Sequence, residues 1–172
     1  MKRIISLLLV LACVFSFVGC GLLKTVMTKD YDAEAKTFTF REMQITLTES
    51  FSVDDESDDE IWYESFNETS VSIDKFERTA DDKIAFPTTH DYLEALSLDI
   101  EAESISDIYQ VDGVTYMTYD TETLGFEFTY FLTVLFSDDA IWHVHFICDT
   151  EDYPTYKEHF IKWAKTICFT EN

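Results

Sequence analysis

By type and spacing, His143 and His145 are the residues in this chain best suited to do chemistry. They lie two apart in a run that reads as a strand, so both side chains point to one face. That spacing can hold Zn2+ or Cu2+ once a neighbouring strand supplies a third ligand, and Glu122 or Glu127 across the adjoining hairpin is the available carboxylate. The same pair also fits the half-exposed face of an ordinary sheet. A second candidate is acidic. Six of the seven residues 54–60 are Asp or Glu, and carboxylate oxygens are what a hard cation such as Ca2+ prefers. An EF-hand calcium loop begun at Asp54 needs Gly at its sixth position and Glu at its twelfth. Asp59 and Ser65 stand there, so the run reads as a solvated loop that attracts cations diffusely. No cofactor is required by these residues; a divalent cation is the one they could attract.

Nucleophilic catalysis finds no anchor. The chain has no Gly-x-Ser-x-Gly and no catalytic cysteine signature, and four glycines supply no phosphate-cradling loop. Carboxylate pairs of the kind used in glycoside hydrolysis arise by chance among 34 acidic residues, so their presence decides nothing. Those 34 face 12 Lys and Arg, a formal net charge of −22. Such a chain is repelled by the phosphates of nucleic acid and by anionic lipid headgroups, which excludes nucleic acid as a partner. The 47% hydrophobic and 16% aromatic content is enough for a packed core, and 172 residues suit one domain.

The amino terminus speaks of location. Lys2 and Arg3 precede an apolar stretch, residues 4–18, then Gly19 and Cys20. The stretch is shorter than the roughly 20 residues of a spanning helix, and polar residues resume at Lys24, so it reads as an export signal. Phe17-Val18-Gly19-Cys20 resembles a bacterial lipobox, with Phe17 where Leu is usual. The resemblance implies a signal peptide over residues 1–19, cleavage before Cys20, and a diacylglyceryl group on Cys20 Sγ that ties the chain to the outside of the cytoplasmic membrane. A transmembrane anchor, or ordinary cleavage leaving Cys20 free, are the other readings. Two acyl chains suffice for stable anchoring, since each buried methylene contributes about 0.8 kcal/mol. Loss of Lys2 and Arg3 would leave 10 of the 12 basic residues against 34 acidic ones, a formal −24. Residues 20–36 then read as lipidated cysteine and tether, and 37–172 as one globular domain. Of the domain's two cysteines, Cys148 ends a strand and Cys168 follows a helix about 20 Å long, too far apart for the roughly 5.5 Å of a disulfide, so both read as buried thiols.

The elements that must position these residues follow from periodicity. Strict alternation marks strands over 37–41 and 43–47, with Phe38 and Phe40 on one face and Met43, Ile45 and Leu47 on another. Strands follow over 61–66 and 70–76, then a loop over 81–87. Thr88 or Thr89 can cap a helix reaching Glu101, with Leu93, Leu96 and Ile100 as its apolar stripe. Strands over 106–111, 114–121, 126–137 and 140–148 are joined by turns at Asp112-Gly113, Leu124-Gly125 and Asp138-Asp139. A last helix over 154–167 places Tyr156, Phe160, Trp163 and Ile167 on one side, with Pro154 in its first turn. Tyr109, Tyr116, Tyr119 and Tyr130 either line a groove or pack across strands. Hairpin-linked strands make a largely antiparallel sheet whose apolar faces helices must cover, an α+β fold.

This order resembles the PsbP-like fold, an α/β/α sandwich shared by the photosystem PsbP subunit, a nuclear Ran-binding factor and many bacterial lipoproteins. The likeness rests on the opening hairpin over 38–47, the helix start over 89–96, and the long hairpin with closing helix over 125–163. It implies binding or assembly roles and no shared catalytic residues. The expectation is therefore a membrane-anchored extracytoplasmic lipoprotein, a non-enzymatic module for a protein partner with a basic surface. The alternative is a lipoprotein that binds a small molecule or metal ion.

Overall fold

A computed structural model describes residues 29–67 and 69–170. Cys20 and residues 1–28 lie outside that range. An opening hairpin pairs β1 (Ala35–Phe40) with β2 (Met43–Thr48), Phe38 opposite Ile45 and Phe40 opposite Met43. Then come β3 (Phe51–Glu56), β4 (Glu60–Ser65) and β5 (Ser70–Glu77), and two short helices, α1 (Ala80–Ala85) and α2 (Thr89–Ser97). The chain continues through β6 (Ser104–Ile105), β7 (Tyr109–Val111), β8 (Val114–Thr123), β9 (Phe126–Phe136) and β10 (Ala140–Asp149). It closes with α3 (Tyr153–Ala164) and β11 (Cys168–Phe169).

The large sheet has eight strands in the order β3-β4-β5-β10-β9-β8-β6, with β7 also paired to β8; a small sheet runs β1-β2-β11. Every pairing is antiparallel. β10 is central, and its residues alternate between two cores. Trp142, Val144, Phe146 and Cys148 join a core closed by α3 and the small sheet, where Phe146 stacks on Phe160. Ile141 joins a smaller core with Leu132, Val134, Met117 and Leu93 of α2. Helices therefore lie on both faces, and the α+β, largely antiparallel fold read from the sequence is the fold observed.

Several boundaries differ, each for a physical reason. Residues 54–60 are the tip of a hairpin: β3 runs on to Glu56 and β4 restarts at Glu60, with a bulge near Val53 and Arg41 bonding Asp58 at 2.9 Å. The expected loop at 81–87 is mostly α1. Thr79 and Asp82 form a reciprocal capping box at its start, as Thr88 and Asp91 do for α2. Of the strand expected over 106–111 only Tyr109–Val111 forms, as β7, and β6 lies ahead of it at Ser104–Ile105. The terminal helix stops at Ala164 because the chain turns to zip Cys168 and Phe169 onto β2, with Thr166 Oγ1 accepting from Thr46 N–H at 2.8 Å. That edge position leaves Cys168 exposed, not buried; Cys148 is buried, and both are free thiols. The 20–36 tether is also too long. Lys36 lies in β1, and Asp30 is wholly buried in a 3-10 turn, accepting from Tyr156 Oη at 2.5 Å and Ser65 Oγ at 2.8 Å. A buried carboxylate needs such donors, so this turn is part of the domain.

Candidate functional site

The histidine pair sits on the α2 side of the sheet, where the helix cover ends. β10 brings His143 and His145 to one face, as the two-residue spacing requires. His143 is 8% exposed, set between the Phe76 ring at 4.6 Å and Tyr92 of α2, whose hydroxyl lies 3.0 Å from its Nε2. Burial first and the adjacent His145 second pull the His143 pKa down to about 4, with Asp74 opposing. His143 is therefore neutral near pH 7. Burial, and then Asp82, raise the Tyr92 pKa, so its hydroxyl stays protonated beside the ring.

His145 is more open. Its Nδ1 lies 3.5 Å from Asp74 Oδ2 on β5, and Ser72 Oγ donates to the same oxygen at 3.2 Å. Tyr119 and Tyr130, opposite each other in β8 and β9, stack at 4.9 Å, and His145 meets both edge-on at about 6 Å. The result is a shallow polar floor of one imidazole–carboxylate couple walled by aromatic rings. It can donate and accept hydrogen bonds.

The sequence placed the two histidines correctly on one face and missed their partners. Asp74 stands directly opposite His143 in the β5–β10 register, a neighbour that follows from strand order. Glu122 and Glu127 are not the third ligand. They pair with each other at the far end of β8 and β9, past the end of β10. Among the described residues no group of three or more His, Cys, Asp or Glu is placed to hold a metal ion. The tyrosines also divide. Tyr116 packs on Phe131 at 4.2 Å and near Tyr109 in the α3-side core, while Tyr119 and Tyr130 lie on the α2 side. Cross-strand packing accounts for them, and no single groove collects all four.

A two-layered helix cover over an antiparallel sheet with an appended small sheet defines the class by architecture. No protein-family model matches the sequence, and no curated protein does. Solved structures do. A crystal structure from Bacteroides thetaiotaomicron VPI-5482 matches with a TM-score of 0.59 at 10% identity, over 81% of this chain and 50% of that one, so this chain spans half of its length. The solution structure of the cyanobacterial PsbP protein CyanoP from Synechocystis sp. PCC 6803 matches at 0.53 and 10% identity, over 84% and 97% of the two chains. A mutant of the protein Mog1 matches at 0.50 and 7% identity, over 80% and 97%. The chain has the PsbP-like fold, as the order of its elements suggested. Fold alone carries no function.

Proposed function

We propose that this chain is a lipid-anchored, non-enzymatic binding module on the outer side of the cytoplasmic membrane, whose acidic domain docks a protein partner with a basic surface. The distribution of charge is the observation that supports it best. Residues 84–156, which include α2 and β6 through β10, hold fifteen Asp and Glu and no Lys or Arg. The exposed acids among them are Glu94 on α2 and, in or beside the connections, those at 99–107, 112, 122, 127, 138–139 and 151–152. Three of the cations elsewhere are engaged internally: Arg41 with Asp58, Lys75 with Glu42 and Lys165 with Asp112. A surface of one sign steers a partner of the opposite sign and repels nucleic acid and anionic headgroups.

The anchor rests on the lipobox-like Phe17-Val18-Gly19-Cys20. No described helix is long and apolar enough to cross a membrane. Cys20→Ala tests the anchor by cell fractionation. The expected result is release from membranes or accumulation of uncleaved precursor; unchanged attachment with normal processing overturns it. Capture of cell-surface proteins on the full-length chain tests the binding role. A partner should be recovered at low salt and lost as salt rises, because exposed charges are screened. Recovery of nothing at low salt counts against it.

A small-ligand reading is favoured by one cleft of about 510 Å3 between the β7–β8 turn, β9 and the end of α3, lined in part by Thr115, Thr133, Lys165 and Phe169. Its size is that of small-molecule sites. For the metal version, calorimetric titration with Zn2+, Cu2+ and Ca2+ decides. Heat no greater than that of a His143→Ala/His145→Ala variant ends it.

A further inference from the structure

The hairpin joining β8 to β9 stands out of the sheet. β10 pairs with β9 as far as Phe128, and β6 pairs with β8 as far as Asp120. Residues 122–127 continue beyond both neighbours as a two-stranded ribbon, and all six are exposed. Among the described residues, one backbone hydrogen bond, Thr150 N–H to Glu127 O at 3.0 Å, reaches the ribbon from outside. At its end Leu124 is 94% exposed and Phe126 64%. Glu122 and Glu127 face each other directly across the strands just behind them.

Each of these choices works against the hairpin's own stability. Leu124 and Gly125 have φ of 56° and 83°, the two positive values of a type I′ turn. The first position of that turn favours Asn, Asp or Gly, and a bulky side chain there is strained. The same sheet builds the same turn between β7 and β8 with φ of 55° and 87°, and there the first residue is Asp112, bonded by Lys165 at 3.1 Å. The tip of β8–β9 instead combines a leucine in left-handed backbone, two large apolar side chains in water and a cross-strand pair of like charges, which repel. Strain and exposure of this kind concentrate where a surface is built for contact.

We infer that the β8–β9 tip is the docking element of the domain, with Leu124 and Phe126 entering an apolar pocket of a protein partner whose rim carries Lys and Arg opposite Glu122 and Glu127. The inference rests on the binding-module reading and names its surface. Charge selects the occupant. A second copy of this chain would bring another surface of the same sign to the glutamates, and anionic headgroups would repel them. A basic rim neutralises both glutamates while the apolar pair at the centre is withdrawn from water, the arrangement of an interface hot spot.

The test compares the full chain with a Leu124→Asn/Phe126→Thr variant. Asn-Gly is the preferred pair for this turn and Thr suits an exposed strand, so the variant keeps its fold, and a thermal melt verifies it. A phage-displayed library of random peptides is selected on the full chain. The expected peptides carry Leu, Phe, Trp or Met flanked by Lys or Arg, bind the variant about tenfold more weakly or worse, and weaken steeply with salt. Glu122→Gln/Glu127→Gln should flatten the salt dependence while leaving residual binding. Peptides that bind wild type and variant equally remove the tip and leave the binding-module reading standing. Failure to select any peptide removes both, and selected peptides without basic residues overturn the stated partner chemistry. Binding to neutral phosphatidylcholine vesicles, or dimerisation in sedimentation, that the variant abolishes would reassign the tip to lipid or to a second copy and overturn the proposal.

Discussion

The two faces of the large sheet are made by the same strands and finish differently. On the α3 side, Phe131, Trp142, Val144 and Phe146 are all fully buried, because a 12-residue helix with four buried positions and a second small sheet close over them. On the α2 side, a nine-residue helix buries one of its own residues, Leu93, and covers Met117, Leu132, Val134 and Ile141. Past its reach lie Asp74, His145, Tyr119 and Tyr130, half-buried and polar. The amount of cover decides which chemistry a strand face can carry. A fully closed face leaves little room for polar groups, the buried Tyr116 hydroxyl being one it holds without a partner, and a half-closed one tolerates an imidazole–carboxylate couple that water still reaches. His143 marks the border: buried, neutral and tied to Tyr92.

The largest contrast should come from truncating aromatics. Phe146→Ala on the closed face is expected to cost about 4 kcal/mol, the range for a buried aromatic leaving a cavity, while Tyr130→Ala on the half-open face costs roughly 1.5 kcal/mol. Urea unfolding with unchanged slope measures both. Equal losses would erase the distinction between the faces.

Next in size is a pH effect confined to the border. His143 has a pKa of about 4 in the folded chain against 6.5 ordinarily, through burial first and His145 second, with Asp74 opposing and the neutral Tyr92 hydroxyl facing it from α2. Between those values the unfolded chain binds the extra proton, so stability rises with pH across that window. The contribution is complete above about 6.5 and lost as pH falls toward 4, for a total of about 3 kcal/mol at 1.36 kcal/mol per pKa unit. The readout is the difference between wild type and His143→Leu, which cancels every other pH-dependent contribution. Parallel stability curves between pH 4 and 7 for the two proteins would show that His143 is not held neutral.

How much of this could be read beforehand depends on distance along the chain. The long hairpins were legible because Asp112-Gly113 and Leu124-Gly125 announce positive φ, and α3 because Tyr156, Phe160 and Trp163 share one stripe. The α1 box is equally local, Thr79 with Asp82, but a helix of six residues carries too little periodicity to stand out from a loop. β11 is two residues long and has no pattern at all. The pairing of His145 with Asp74, and of Asp30 with Tyr156 across 126 positions, depends on which strands and turns become neighbours, which no local period encodes. The same limit put the third metal ligand on Glu122 or Glu127: sequence proximity chose the adjoining hairpin, and the sheet put Asp74 of β5 beside the histidines instead.

A smaller contrast uses one chemical change on both faces. Val144→Ala and Val134→Ala each remove the same two methyl groups from residues buried to a similar degree, 0% and 3% exposed. Transfer alone accounts for about 1.6 kcal/mol at 0.8 kcal/mol per buried carbon. Any further loss measures how far the surroundings fail to close the void. The closed face cannot move α3 without disturbing the small sheet, so Val144→Ala should exceed that figure and Val134→Ala should fall at or below it. The reverse order would mean that α2 is the more rigid cover.

The smallest effect isolates the bond at the border. Tyr92→Phe removes the hydroxyl that lies 3.0 Å from His143 Nε2 and leaves a buried ring nitrogen without its partner, at a cost of about 1 kcal/mol. His143→Leu removes the nitrogen as well. If the bond matters because each group satisfies the other, the double variant should be no less stable than Tyr92→Phe alone, and the cycle should return a coupling of about 1 kcal/mol. Neither group would then add stability beyond what an apolar pair supplies; each is tolerated because the other is there. A coupling near zero would mean that water already reaches His143, and that the α2 side is open as far as the border residue itself.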